Sequence, residues 1–212
     1  MKYLIILLLL AVSVVAEKAP NFILIYADDL GYTQTSVPMM MERPETRHAL
    51  HRTPNLEKLA AQGMRFSNAY APSPVCTSSR ASIQHGKTTA RVGCISLHDV
   101  VAAKRGVDLG ENLSLAEMFL ESDQGYVTAI FGKGCTPMGW FKDHGYMVTD
   151  FIHQNPNGNG HGDWWEPAEK TPIPLDDPKR LFSLAKSSTD FLKARAADEK
   201  PFYLMISHYA LH

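Results

Sequence analysis

The chain has 212 residues, 21 Lys and Arg against 22 Asp and Glu, a formal charge of −1, and 45% hydrophobic and 20% charged residues. That balance excludes a disordered polar chain, a collagen and a coiled coil, and it lacks the basic surplus on which nucleic-acid binding draws. The length suits one domain with a real core, and 13 Pro with 14 Gly point to a loop-rich α/β enzyme more than to a helix bundle. Three Cys is an odd count, so at least one thiol stays outside any internal disulfide set.

Lys2 gives a short positive start, Leu4 to Val15 is almost wholly apolar, and Val14-Val15-Ala16 places small residues before Glu17. This is the three-part pattern of a secretory signal. The apolar run is shorter than the roughly 20 residues that cross a bilayer, so no stable membrane span is expected. Residues 1–16 are expected to be removed near Ala16. Residues 17–212 then form the mature domain, exported to an oxidising periplasmic or extracellular space.

The remainder reads as strands alternating with helices. Asn21 to Ala27 is a continuous apolar run, the mark of a fully buried parallel strand. Thr53 is placed to cap a helix with Pro54 in its first turn, Leu56, Leu59 and Ala60 on its inner face, and Gly63 at its end. Met64, Phe66, Asn68 and Tyr70 alternate as a second strand would, closing a βαβ unit around a long excursion from Gly31 to Arg52. Ser114 and Glu117 form a capping box for a helix running to about Ser122. Tyr126 to Phe131 is the next strand. Asp177-Pro178 opens a helix with Leu181, Leu184, Ala185, Ser188 and Phe191 as its inner stripe, and Phe202 to Ser207 is a last strand. The expected fold class is α/β, with a mostly parallel central sheet flanked by helices.

Chemistry-bearing residues collect just after these strands, where open α/β sheets build their sites. Asp28 and Asp29 follow the first, Cys76 the second, Lys133 the third, and His208 and His212 the last. Adjacent carboxylates repel unless a cation sits between them, and a hard divalent ion is the natural answer. The plainer reading has one Asp capping a turn and the other in solvent. In Val75-Cys76-Thr77-Ser78-Ser79-Arg80, a Cys opening a helix lies in positive potential, to which Arg80 adds. That suits an anionic ligand or a nucleophile, and equally a buried structural Cys beside a solvated Arg.

From about Asn21 to His212 the chain resembles the sulfatase family of the alkaline phosphatase superfamily. The resemblance is carried by Asn21 to Tyr32, by Thr53-Pro54-Asn55-Leu56 through Cys76-Thr77-Ser78-Ser79-Arg80, by Phe131-Gly132-Lys133, and by Pro201 to His212. It implies hydrolysis of sulfuric esters, of small molecules or of glycans. Asp28, Asp29 and the modified Cys76 match calcium ligands. Cys76 matches the residue that a maturation enzyme oxidises to formylglycine during export, whose hydrate supplies the attacking hydroxyl. Arg80 matches the residue that holds this group and offsets charge. Lys133 matches a sulfate-binding lysine, and His212 a histidine that binds sulfate near the leaving oxygen.

The family pattern is broken in three places. Ser78 stands where Pro or Ala is usual, and Cys135 where a His usually follows the lysine by two positions. A neutral thiol does not replace imidazole as a base near neutral pH without a large pKa shift. His144, His153 and His161 are nearby imidazoles, each read as a loop or surface residue. Sulfatases also continue past the position of His212 with an Asp-Asn pair and a second lysine, so the chain is expected to be a truncated catalytic domain, inactive alone on aryl sulfates. A phosphatase or phosphonate hydrolase on the same scaffold is disfavoured by Cys76, since Ser or Thr is the usual nucleophile there. A non-catalytic sulfate- or glycan-binding relic is the reading from another class. Trp164-Trp165 reads as a packing pair or a sugar platform, Cys94 as buried, and Met39-Met40-Met41 as part of a surface excursion.

Overall fold

A computed structural model describes residues 18–96, 112–134, 141–149 and 176–211. The expected signal segment, Cys135, His153, His161, Trp164-Trp165 and His212 lie outside the described residues. Four strands, β1 (Phe22–Tyr26), β2 (Val127–Gly132), β3 (Val148–Thr149) and β4 (Phe202–Ser207), pair all in parallel in the order β1-β4-β2-β3. The expected parallel α/β class is therefore what the chain forms. β4, last in sequence, sits between β1 and β2, with Tyr26 opposite Ser207 on one side and Gly132 opposite Ser207 on the other. Parallel pairing turns every carboxyl end to the same edge, which positions the site.

The two faces of β2 and β4 are buried differently. Ile130, Tyr203 and Met205 pack with Tyr126, Phe141 and Tyr146 on one side. That side is covered by α2 (Cys76–His85), through Ile83, and α4 (Leu115–Glu121), through Ala116 and Phe119. Between these helices lies the short α3 (Thr89–Val92). Ala129, Phe131, Phe202 and Leu204 pack on the other side against Leu184 and Phe191 of α5 (Leu181–Ala196). Burying a side chain such as Leu184 or Leu204 stabilises by roughly 1.5–3 kcal/mol. A strand covered on both faces has little room for polar side chains, and β2 and β4 are apolar but for Thr128 and Ser207, whose buried hydroxyls donate to the Gly145 and Lys133 carbonyls.

Local signals set several boundaries. The capping box is formed in full: the Ser114 hydroxyl accepts from the Glu117 amide at 3.1 Å, and the Ser114 amide donates to the Glu117 carboxylate at 2.6 Å. The Asp177 carboxylate accepts from the Phe182 and Ser183 amides at 2.7 and 3.1 Å and caps α5.

Other expectations fail for physical reasons. Met64 to Tyr70 is not a strand but a loop; its alternating residues are exposed, Tyr70 at 86%, and among the described residues no neighbouring strand takes up their backbone groups. The βαβ unit expected there is therefore absent, and Cys76 follows a loop. β1 is parallel but not buried: it is the sheet edge among the described residues, and Ile25 is 58% exposed. α1 (Pro54–Gln62) forms as expected, yet Leu56 and Leu59 are exposed. Thr53 does not cap it through its side chain, because that hydroxyl pairs with Ser36. Ala185 of the expected inner stripe of α5 faces solvent, while Leu184, Ser188 and Phe191 are buried.

Gly132 closes β2 at φ +95, and a Cβ there would stand 2.1 Å from the Ser207 carbonyl oxygen. Gly132→Ala is expected to cost about 2–3 kcal/mol, read as a lower urea midpoint with unchanged slope. Gly63, at φ −134 with the nearest atom 3.5 Å from a built Cβ, tolerates Ala with little change.

Candidate active site

Three strand ends and one helix meet at the carboxyl edge of the sheet. The Asp28 amide donates to the Ala210 carbonyl at 2.9 Å, and the Lys133 amide to the Ser207 carbonyl at 2.7 Å. The His208 amide donates to the Tyr26 carbonyl at 2.8 Å. These bonds extend the parallel ladders one step beyond the strands. They fix Asp28, Lys133 and His208 side by side although they lie far apart in sequence.

The side chains form one buried cluster. Asp28 is 3% exposed, Lys133 5% and Arg80 1%. The Asp28 carboxylate accepts from the Lys133 ammonium and pairs with the Arg80 guanidinium at 3.4 Å. Arg80 also donates to the Ser207 hydroxyl and, at 3.1 Å, to the His208 carbonyl. Its guanidinium lies over the Tyr26 ring, 4.8 Å from the centroid, a cation–π contact. Ser207 in turn donates to the Lys133 carbonyl at 2.7 Å. Two cations against one carboxylate leave a surplus positive charge away from water. The Arg80 Nε is buried without a hydrogen-bond partner. A buried surplus of cationic charge is costly unless a further anion meets it.

Cys76 is the first residue of α2, half-buried, one turn before Arg80. The helix enters without a side-chain cap at Val75, so its first amides remain as positive partial charge near the thiol. Ser79 holds the approach by donating to the Ser73 carbonyl at 2.7 Å. Ser78 is fully buried, and Cys94, also buried, lies 3.7 Å from its hydroxyl.

The structure thus unites Asp28, Arg80 and Lys133, and puts Cys76 at the head of the helix that carries Arg80. Asp29 does not join the buried cluster: it is exposed, in the left-handed region at φ +54. His144 sits by the start of β2, where Thr128 donates to the Gly145 carbonyl, at the end of the strand opposite Lys133. Sequence reasoning missed Tyr26 and Ser207. Both read as ordinary strand residues, and only the register that sets them opposite each other reveals them as the seat of Arg80.

The carboxylates of Asp28 and Asp29 are the right kind of donor for calcium, but a shell of six to eight oxygens draws on more than two residues. Asp28 is also already neutralised by two cations. Among the described residues no group of three or more His, Cys, Asp or Glu converges to hold a metal. No described helix is long and apolar enough to cross a membrane.

Comparison with known proteins identifies the family and the fold. The sulfatase family model matches residues 20–212. Arylsulfatase A of Bos taurus is 38% identical over 144 residues, 66% of this chain and 26% of that protein. An arylsulfatase of Klebsiella aerogenes is 34% identical over 216 residues, 92% of this chain and 44% of that protein. Among solved structures, BT4656 in complex with its substrate D-glucosamine-2-N,6-O-disulfate superposes with a TM-score of 0.65 at 22% identity, covering 91% of this chain and 35% of that one. Ps i-CgsB in complex with k-i-k-neocarrahexaose gives 0.64 at 21%, covering 91% and 45%. The chain therefore spans about a fifth to under a half of the relatives it matches.

Removing the carboxylate by Asp28→Asn strands two buried cations and is expected to cost about 3–5 kcal/mol. Ser207→Ala costs less, about 1–3 kcal/mol. Both are measurable by urea unfolding. Burial, and then the Arg80 charge, hold the His208 imidazole below its ordinary pKa, and burial does the same to His85. Each group is easier to protonate when unfolded. Their stabilisation is complete above the unfolded value of about 6.5 and is lost as pH falls from there through the lower folded values. The melting temperature is expected to drop between pH 7.5 and 5.5, and His85→Gln with His208→Gln to flatten that slope.

Proposed function

The chain belongs to the sulfatase family, and from that we propose a sulfuric ester hydrolase whose reaction centre is built on Asp28, Cys76, Arg80 and Lys133, with Asp29 and His212 as further members. The observation that supports this most is the buried surplus of positive charge held by a single carboxylate at the strand ends. It suits the spread charge of a sulfuryl group, and it lies beside a helix N-terminus headed by a thiol.

The roles follow from the chemistry of each group. Lys133 and Arg80 offset charge on the sulfate oxygens, with no solvent reorganisation needed at the moment of reaction. Asp28 keeps both cations in place, and Ser207 and Tyr26 fix the plane of the Arg80 guanidinium. His212 holds the ester oxygen and protonates it as it leaves. A formylglycine made from Cys76 by a maturation enzyme supplies, as its hydrate, the attacking hydroxyl. Asp28 and Asp29 would be ligands to a calcium ion, which would supply Lewis-acid charge and would need further oxygen ligands to complete its shell. Residues 1–16 direct export, and the mature domain begins at residue 17. The substrate class is a sulfate ester of a small molecule or a glycan; glycans are favoured by the saccharides bound to the two solved neighbours.

Two measurements test the reading. In protein exported from a host with the maturation enzyme, the tryptic peptide Phe66 to Arg80 is expected to carry a carbonyl in place of the Cys76 thiol, with a lower mass and aldehyde reactivity. An intact thiol throughout would sink the formylglycine assignment. Calorimetry is expected to show inorganic sulfate binding that Lys133→Ala weakens about tenfold to a hundredfold; unchanged affinity in that variant would remove Lys133 from the site.

A further inference from the structure

The excursion between Asp29 and α1 builds a cavity of about 330 Å³, lined among others by Arg47, His48, His51, Arg52, Glu45 and Glu57. Its size is that of a small ligand site. The loop leaves the carboxyl end of β1 directly after Asp28 and Asp29, so it rises from the sheet edge that carries the candidate site. It is also pinned rather than loose. The Ser36 amide donates to the Thr53 hydroxyl at 3.0 Å, the Thr53 amide to the Ser36 hydroxyl at 2.9 Å, and the His48 amide to the Thr35 carbonyl at 2.8 Å.

The lining presents donors. The two imidazoles stack, with ring centroids 3.6 Å apart and planes 16° from parallel. Nδ1 of His48 accepts from the amides of Leu50 and His51 at 3.2 and 3.0 Å, so its ring proton sits on Nε2. Nδ1 of His51 donates to the Gln34 carbonyl at 2.8 Å, which fixes that ring. Both carboxylates are engaged: Glu45 pairs with Arg43 at 2.9 Å, and Glu57 accepts from the Ser36 hydroxyl at 2.5 Å. The guanidinium groups of Arg47 and Arg52 have no ion-pair or hydrogen-bond partner among the described residues. A cavity with two uncommitted guanidinium forks and an imidazole donor matches the oxygens of a sulfate half-ester or carboxylate.

We propose that this cavity binds a second anionic group of an acidic saccharide, on a sugar neighbouring the one whose sulfate ester occupies the site at Asp28, Arg80 and Lys133. The location relative to the reacting ester rests on the sulfatase reading; the anion site itself rests on the cavity. It gives the excursion a role in selecting oligosaccharides over single sugars.

The test uses the full chain and three probes: inorganic sulfate, a sulfated tetrasaccharide and a singly sulfated monosaccharide. NMR signals of the His48 and His51 rings are expected to shift with sulfate and with the tetrasaccharide at physiological salt. Arg47→Ala with Arg52→Ala is expected to abolish those shifts and to weaken the tetrasaccharide about tenfold, and the monosaccharide less. Arg47→Lys with Arg52→Lys restores part of the affinity. An unsulfated uronate tetrasaccharide moving the same signals assigns a carboxylate; response to the sulfated one alone assigns a sulfate. Silent histidine signals, or a double-alanine variant that binds the tetrasaccharide like the unaltered chain, would overturn the proposal. If Lys133→Ala leaves every affinity unchanged while the histidine shifts persist, the anion cavity stands and the assignment of the reacting site falls.

Discussion

The carboxylate of Asp28, shared by the Lys133 ammonium and the Arg80 guanidinium, is the contact on which the carboxyl edge of the sheet depends. Each of its three members comes from a different element: the end of β1, the end of β2 and the first turns of α2. The fourth contributor is β4 with the residue after it, where the Ser207 hydroxyl and the His208 carbonyl accept from the two terminal nitrogens of Arg80. Ion pairs this deeply buried seldom raise stability over an apolar alternative. Their persistence here is better explained by what a buried cationic excess does for an anion than by what it does for the fold.

Backbone and side chains solve different parts of the problem. The parallel register brings the strand ends level, and the bonds from Asp28 to Ala210, Lys133 to Ser207 and His208 to Tyr26 carry that alignment past the last residue of each strand. Gly132 lets β2 pass within contact of the Ser207 carbonyl, where any Cβ would collide. Only then does the plane of the Arg80 guanidinium, set by the Tyr26 ring and the Ser207 hydroxyl, present its charge in one direction.

The parts of this arrangement that were readable in the sequence are those set by local or repeated physics. The capping box of Ser114 and Glu117 needs four consecutive residues and nothing else. β2 and β4 were readable because strands covered on both faces are nearly continuous in apolar residues, with Thr128 and Ser207 as the exceptions. Asp28 and Lys133 stood out because polar residues that end such runs gather at one edge. What failed depended on partners. The alternation from Met64 to Tyr70 has the period of a strand, yet period alone does not supply a neighbour to bond. The apolar run of β1 was right about direction and wrong about cover. Ser207 and Tyr26 carry no local mark at all, since their importance lies in being opposite each other across β1 and β4.

The place of β4 in the chain has a temporal meaning. Translation runs from the N-terminus, so Arg80 is made 127 residues before the Ser207 hydroxyl that it binds. Until Phe202 to Ser207 has emerged, β1 and β2 have no strand between them and the guanidinium has no seat. Contacts of such long sequence separation close late. Throughout that interval the stretch around Cys76 is held by none of the β4 groups that later bury Arg80, so the helix it opens takes its final place only once the last strand has entered the sheet.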